Sequence, residues 1–237
     1  MKKINLIGHG NWGKRIYPIL KNIKNTKINI IKKKDVLNKS SLDLILTNNE
    51  THYSLVKKSL MANNNVFCEK PLTTSTLKAL KLYKFSDIKK KKIYVSDIEN
   101  YKNINIKIKK INYIIRTKNS LIKDNILWRF AYHDLSYLYK YVKFKKLTNI
   151  NIIKNDLGIM NFNLIFNDVK FNFYYNLNMK MRKHFFNDIN LISPNDFYKK
   201  MINNLLSKKV DFIENKKVSL FCIQIIEKIL KINKKTN

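Results

Sequence analysis

The sequence predicts an α/β protein: a doubly wound parallel sheet, then a smaller α+β domain with a mostly antiparallel sheet. Three observations predict it. Short apolar runs alternate with helically spaced segments over the first hundred residues. Three of the four glycines crowd into positions 8, 10 and 13. From about Ile111 the apolar runs lengthen and follow one another. The expected division is 1–115 and 116–237, within the usual span of two small domains.

The elements follow in order. Ile4 to Ile7 is a short strand that stops at the glycines, and Lys14 to Ile23 carries Ile16, Ile19, Leu20 and Ile23 at helical spacing. Ile28 to Ile31 and Leu42 to Leu46 are strands, and Tyr53 to Met61 is helical. Val66 to Cys68 is a strand, Leu77 to Tyr83 a helix and Ile93 to Val95 a fifth strand. Strands alternating with helices of about ten residues imply a parallel sheet. Beyond them, Ile111 to Thr117, Asn149 to Lys154, Met160 to Phe166 and Val169 to Leu177 read as longer strands, with Asn167-Asp168 as a hairpin turn. The aromatic residues from Phe171 to Tyr175 alternate as sheet core or a subunit contact. Val218 to Ile232 is an amphipathic helix.

Composition narrows the function. At 45% apolar and 12% aromatic the chain can bury a core, despite a net charge of +32. Lysine, asparagine and isoleucine fill 112 of 237 positions, and their codons are rich in A and T. The charge therefore reads as compositional drift. A nucleic-acid protein would use arginine for bidentate contacts and cluster its charge, whereas lysine here is spread throughout and only Arg15, Arg116, Arg129 and Arg182 are arginine. No specific nucleic-acid partner is expected, and the Lys89–Lys92 run reads as a solvated turn. The two cysteines, Cys68 and Cys222, are far apart and have no metal spacing, which fits a reducing compartment. The opening apolar run ends at Gly8, too soon for a signal peptide, and no apolar stretch of about 18 residues offers a membrane span. A cytoplasmic protein is expected.

Gly8, Gly10 and Gly13 form Gly-x-Gly-x-x-Gly directly after the first strand, opening the first helix. Glycine permits the tight turn, the close approach of backbone to a diphosphate, and close helix–strand packing; the helix amino end supplies free N–H groups. In a glycine-poor chain this context predicts a Rossmann domain that binds a dinucleotide, through Gly8, Gly10, Asn11, Trp12 and Gly13. At the end of the second strand, where a ribose-binding carboxylate is expected, stand Lys32, Lys33 and Lys34 before Asp35. A cation such as Lys32 would favour a 2′-phosphate, so NAD and NADP both stay open, with a lean to NADP.

Longer motifs resemble one family. Gly8-His9-Gly10-Asn11-Trp12-Gly13, Asp43 through His52, Glu69-Lys70-Pro71 and Trp128 through Asp134 resemble, in order, segments of the glucose–fructose oxidoreductase and inositol dehydrogenase family, Gfo/Idh/MocA. Lys180-Met181-Arg182 resembles an element of its sugar-nucleotide branch. Family members are usually longer, so the second half reads as trimmed. The resemblance implies hydride transfer between a nicotinamide cofactor and a sugar or sugar-nucleotide hydroxyl carbon. It implies Lys70 and His133 as the groups flanking the reacting carbon; Thr47, Asn48, His52 and Glu69 near the cofactor; Trp128, Arg129 and Arg182 toward the substrate; and a homo-oligomer, with the second sheet as substrate wall and subunit face. No metal is implied.

One departure from the family pattern stands out. Arg129 occupies the position of a carboxylate four residues before His133, on the same face of a helix. That substitution raises an alternative, a non-catalytic dinucleotide-binding relic of the family. Asp134 points elsewhere on such a helix, and neither His9 nor His184 is assigned a role. A lysine-rich nucleic-acid binder is the remaining and weakest reading.

Overall fold

The computed structural model describes residues 1–32, 37–102, 104–119, 125–192 and 197–236. Two compact units emerge, Met1–Ile98 with Asp196–Ile223, and Glu99–Asn195 with Gln224–Asn237. The helices are α1 (Asn11–Lys21), α2 (Asn49–Met61), α3 (Thr76–Ile88), α4 (Tyr132–Val142), α5 (Phe197–Leu206) and α6 (Phe212–Thr236).

Among the described residues of the first unit, β1 (Lys2–Ile7), β2 (Thr26–Ile31), β3 (Leu42–Ile45), β4 (Asn65–Cys68) and β5 (Ile93–Val95) form one wholly parallel sheet in the order β2-β1-β3-β4-β5. This is the expected doubly wound arrangement. Strands β3 and β5 are buried throughout, as strands of a covered parallel sheet should be, and β3 carries one charged residue, Asp43. At the edge, β2 instead alternates between exposed and half-buried residues. The opposite edge is closed from α6, whose Asn215 side chain receives the Val95 N–H (2.8 Å) and donates to the Val95 carbonyl (2.9 Å). Below the sheet the buried Asp43 carboxylate accepts from Asn5 (2.9 Å), Ser40 (2.7 Å) and Asn64, which satisfies a charge that would otherwise be costly in the core. The strand order reverses between β1 and β3, and the carboxyl ends of strands at such a reversal make a ligand crevice.

In the second unit β6 (Ile111–Thr117), β7 (Leu147–Asp156), β8 (Ile159–Phe166), β9 (Val169–Asn176), β10 (Lys183–Phe186) and β11 (Ile189–Asn190) form a sheet in the order β11-β10-β6-β9-β8-β7. The β6–β9 pair is parallel and the others are antiparallel, as expected of a mostly antiparallel sheet. Asn167, with φ of +53°, makes the β8–β9 turn. On one face the paired Phe162 and Phe173 rings stack at 4.6 Å with Phe166, Phe171 and Tyr175 fully buried around them. Each such ring pair contributes about 0.5–1.5 kcal/mol beyond its burial. Phe130 and Tyr137 meet this face at Tyr175 and Phe186. The other face keeps Ile111, Tyr113 and Tyr174 exposed.

The division of the chain differs from the expected one. Residue 115 falls inside β6, which pairs with β9 along its whole length and with β10 from Ile114 to Thr117, so the second unit begins upstream of it. Residues 196–223 return to the first unit, through α5 and the first half of α6. The spacing of Tyr198, Met201, Ile202 and Leu205, all buried, made α5 a helix that the sequence reading passed over. Strands β10 and β11 also went unread, being four and two residues long.

Candidate active site

The glycine turn lies at the carboxyl end of β1. Gly8 has φ of +96°, and a Cβ there would sit 2.8 Å from the Leu46 carbonyl and from Thr47 Cγ2. A Cβ on Gly13 would lie 2.3 Å from the Gly8 oxygen, so only glycine lets α1 approach the turn this closely. Gly10 differs: a Cβ would meet nothing within 4 Å, because its outer side is open. It is the N-cap of α1, and no side chain caps that end, so the first-turn amides keep their donors for a ligand. Asn11 and Trp12 are exposed at this end. Trp12 packs on Tyr198 with ring centres 5.2 Å apart, and the Arg15 guanidinium lies 5.4 Å and 5.2 Å from the two rings.

Neighbouring strands continue the same edge. The Leu46 amide donates to Ile7, the Glu69 amide to Ile45 and the Ser96 amide to Cys68, at 2.8–2.9 Å, so the backbone ladder runs past the strand ends. Thr47 and Asn48 thereby stand beside Gly8 at the start of α2; the Thr51 hydroxyl donates to the Asn48 carbonyl (2.8 Å) and meets the Thr47 hydroxyl (2.7 Å). His52 is fully buried behind them, its Nδ1 2.7 Å from the Pro71 carbonyl and Nε2 3.0 Å from that of Thr47. Burial pushes the imidazole below its ordinary value, against the pull of these two carbonyls. A neutral ring has one N–H, so it donates to one of these two carbonyls at a time while filling the space behind both loops. Lys32 is exposed directly after β2, across from the end of β1; Lys33, Lys34 and Asp35 lie outside the described residues.

Glu69, Lys70 and Pro71 follow β4, with a cis Lys70–Pro71 bond. Glu69 is buried, and its Oε2 has no hydrogen-bond partner among the described residues. Burial raises its carboxyl above the ordinary range, opposed by the Lys70 charge and a Ser96 hydrogen bond. Lys70 is half-buried beside it. A glycine cradle, an uncapped helix end and an unmet carboxyl oxygen on one sheet edge fit a dinucleotide.

The second unit holds His133 at the start of α4. Before it, Leu127–Ala131 form a π-helical turn with Trp128 buried and Arg129 half-buried. Hydrogen bonds to the fifth residue widen that turn to more than four residues, so the four-residue spacing from Arg129 to His133 stays close to one turn. The His133 Nδ1 lies 3.4 Å from Glu99 Oε1, and Glu99, buried, also meets Lys102 (2.6 Å) and Arg116 (3.5 Å). Asp134 turns away, as expected, into a buried cluster. Arg116 can only donate, so His184 Nδ1 accepts from it (3.1 Å) and His184 Nε2–H donates to Asp134 (2.7 Å). Burial opposes the Asp134 charge, but Arg116 and His184 outweigh it and hold the carboxyl below its ordinary value. Burial, then Arg116, push His184 down. His184, given no role from sequence, is thus part of the core that positions α4. The Lys118 amine is lowered by partial burial first and then by Arg129 and Arg182, which places these three cations near one another.

Comparison with known proteins agrees with this geometry. Residues 21–97 match the family model for the Gfo/Idh/MocA oxidoreductases, described as an oxidoreductase family with an NAD-binding Rossmann fold. This stretch of the chain is similar to the nucleotide-binding domain of the Gfo/Idh/MocA family. The matched span holds the Thr47–His52 and Glu69–Pro71 segments and begins after the glycine turn, so the Gfo/Idh/MocA assignment and the cradle are separate observations. No curated protein matches the chain. Among solved structures, UDP-N-acetylglucosamine 3-dehydrogenase GnnA from Acidithiobacillus ferrooxidans superposes with a TM-score of 0.79 at 10% identity, covering 96% of each chain. The dehydrogenase MviM from Clostridium difficile gives 0.77 at 14%, covering 97% of this chain and 99% of its own. The WlbA dehydrogenase from Thermus thermophilus, in complex with NAD and UDP-GlcNAcA, gives 0.73 at 9%, covering 95% and 94%. At these identities the likeness establishes the fold. Its extent does not reflect the trimming expected of the second half. Among the described residues no helix is long and apolar enough to cross a membrane.

Proposed function

We propose that the protein is an NAD- or NADP-dependent dehydrogenase acting on a hydroxyl carbon of a sugar, more specifically of a sugar nucleotide. The observation that carries this is the cradle at the β1 edge, where Gly8 and Gly13 are sterically obligatory and Gly10 opens onto uncapped helix amides. When bound, the nicotinamide exchanges a hydride with the substrate carbon. The chain's own groups do the rest. The turn amides and α1 hold the diphosphate; Thr47 and Asn48 line the adjoining edge; Glu69 orients the loop that presents Lys70. Lys70 takes the hydroxyl proton as the carbon is oxidised; for His133 the family resemblance implies a second proton-handling role. The cations Lys118, Arg129 and Arg182 suit the diphosphate of a sugar nucleotide, and the buried Trp128 directly precedes Arg129. GnnA, named for such a substrate, supports that choice.

The cytoplasm suits the two buried thiols, Cys68 and Cys222. Exposed Ile111, Tyr113 and Tyr174 on the open sheet face suit a homo-oligomer, readable by light scattering. The deciding experiment titrates NADH and NADPH by fluorescence, then follows cofactor reduction with a sugar-nucleotide panel for the wild type and Lys70→Ala. Saturable binding and a Lys70→Ala rate lowered at least a hundredfold are expected. Absence of binding refutes the dinucleotide reading. Binding without turnover on any substrate favours the relic, which Arg129 in place of an acid suggests.

A further inference from the structure

We propose that Glu99 is the positioning carboxylate of His133, supplying from the 3-10 turn Ile98–Tyr101 what position 129 does not. The proposal rests on the dehydrogenase reading above for its use in catalysis, and on geometry alone for the pairing. A histidine that handles a substrate proton through one nitrogen needs its other nitrogen engaged, so that tautomer and ring orientation are fixed. Two acidic residues compete for that task. Asp134 is adjacent in sequence, yet its Oδ1 is committed to His184 at 2.7 Å. Glu99 lies 3.4 Å from His133 Nδ1 through Oε1. With Nδ1–H donated to Glu99, Nε2 is the nitrogen that meets substrate.

Glu99 is itself held. Its Oε2 is 2.6 Å from Lys102, its Oε1 is 3.5 Å from Arg116, and its side chain is 6% exposed. Arg116 is fixed in turn by the Phe130 carbonyl (3.2 Å) and His184 (3.1 Å). Among the described residues, the charged groups around His133 include Glu99 and Lys102 from the turn, Arg116 from β6, Asp134 from α4 and His184 from β10. Were Glu99 only an anchor for Lys102 and Arg116, its neutralisation could move the His133 titration but would leave the kcat–pH profile in place.

The test reads His133 directly. The full chain has four histidines, at 9, 52, 133 and 184, so imidazole NMR signals can be assigned by loss of one in His133→Gln. In Glu99→Gln, which keeps shape and removes charge, the His133 midpoint moves to lower pH by about one pH unit. In Lys102→Met it moves the opposite way, a control that needs no loss of an acid. The kcat–pH profile follows the NMR shift in each variant, while the KM for the dinucleotide is unchanged. A folded Glu99→Gln whose His133 titrates as in the wild type overturns the proposal, and so does an NMR shift that leaves an active enzyme's kcat profile in place. If the wild type binds no dinucleotide but the two variants still move His133 in opposite directions, the dehydrogenase reading falls and the pairing stands.

Discussion

Replacing two glycines of one turn by alanine should have opposite effects on the free protein and the same effect on binding. At Gly10 the backbone is extended (φ −75°, ψ −154°), a conformation alanine adopts, and the added methyl group meets nothing within 4 Å. Gly10→Ala then acts mainly by restricting the unfolded chain, stabilising by about 0.4–1 kcal/mol. For a chain of this length that is roughly 1–4 °C in melting temperature. At Gly13 the methyl carbon falls 2.3 Å from the Gly8 oxygen, well inside the 3.4 Å where ordinary contact begins. Helix α1 must move away from the turn, and overpacking of this kind costs about 1–3 kcal/mol, or roughly 2–12 °C.

Both variants should bind NADH at least tenfold more weakly, a loss of about 1.4 kcal/mol. In Gly10→Ala the methyl occupies the open side that a diphosphate must approach; in Gly13→Ala the displaced helix carries its amides off target. Thermal melts without ligand and fluorescence titrations of NADH measure the two effects separately. A Gly10→Ala protein that binds NADH like the wild type would show that the diphosphate does not lie on this turn. A Gly13→Ala protein as stable as the wild type would show that the tight helix–turn contact is not needed.

Arg116→Lys should lower the melting temperature by roughly 4–12 °C, since an ammonium cannot serve the Phe130 carbonyl, His184 and Glu99 together and a partly unpaired buried cluster costs about 2–3 kcal/mol. Stability should fall on acidification below pH 6.5, the ordinary value of histidine: His52 and His184 are held below it in the fold, so the unfolded chain binds more protons there, and the loss continues as pH falls through the lowered folded values. Melts from pH 8 to pH 5 check this, and a flat profile refutes it. Arg182→Ala should raise the KM for a sugar nucleotide several-fold and leave the NADH affinity unchanged, as an exposed cation contributes modestly; steady-state kinetics with both ligands varied separates the two.

The first unit was largely legible because its determinants are local. A glycine turn between a strand and a helix, and apolar runs of period expected for covered strands, need no partner to be recognised. The carboxyl edge followed, since Gly8, Thr47 and Glu69 each close a strand and the ladder from Leu46 to Ser96 merely continues the sheet. What was missed is nonlocal. Glu99 and His133 are 34 positions apart, Asp134 and His184 are 50 apart, and no periodicity joins them. The π-turn before α4 is likewise invisible in a pattern of apolar residues.

One signal for the buried cluster was nonetheless present in composition. In a chain with 48 basic residues, of which four are arginine, drift has favoured lysine wherever a point charge suffices. Of the arginines that remain, Arg116 occupies a position that uses a planar, multiply donating cation. The Arg15 guanidinium lies over both the Trp12 and Tyr198 rings. Arg116 bonds a carbonyl and an imidazole while lying 5.4 Å from the Phe130 ring centre. Arg129 and Arg182 share their surroundings with Lys118, the arrangement expected where an anion must be gripped from several sides. The charge that says least about this protein in bulk thus says most at its rarest residue, and the same reasoning makes Arg116, rather than any lysine, the residue through which Glu99 and Asp134 are held in one buried cluster.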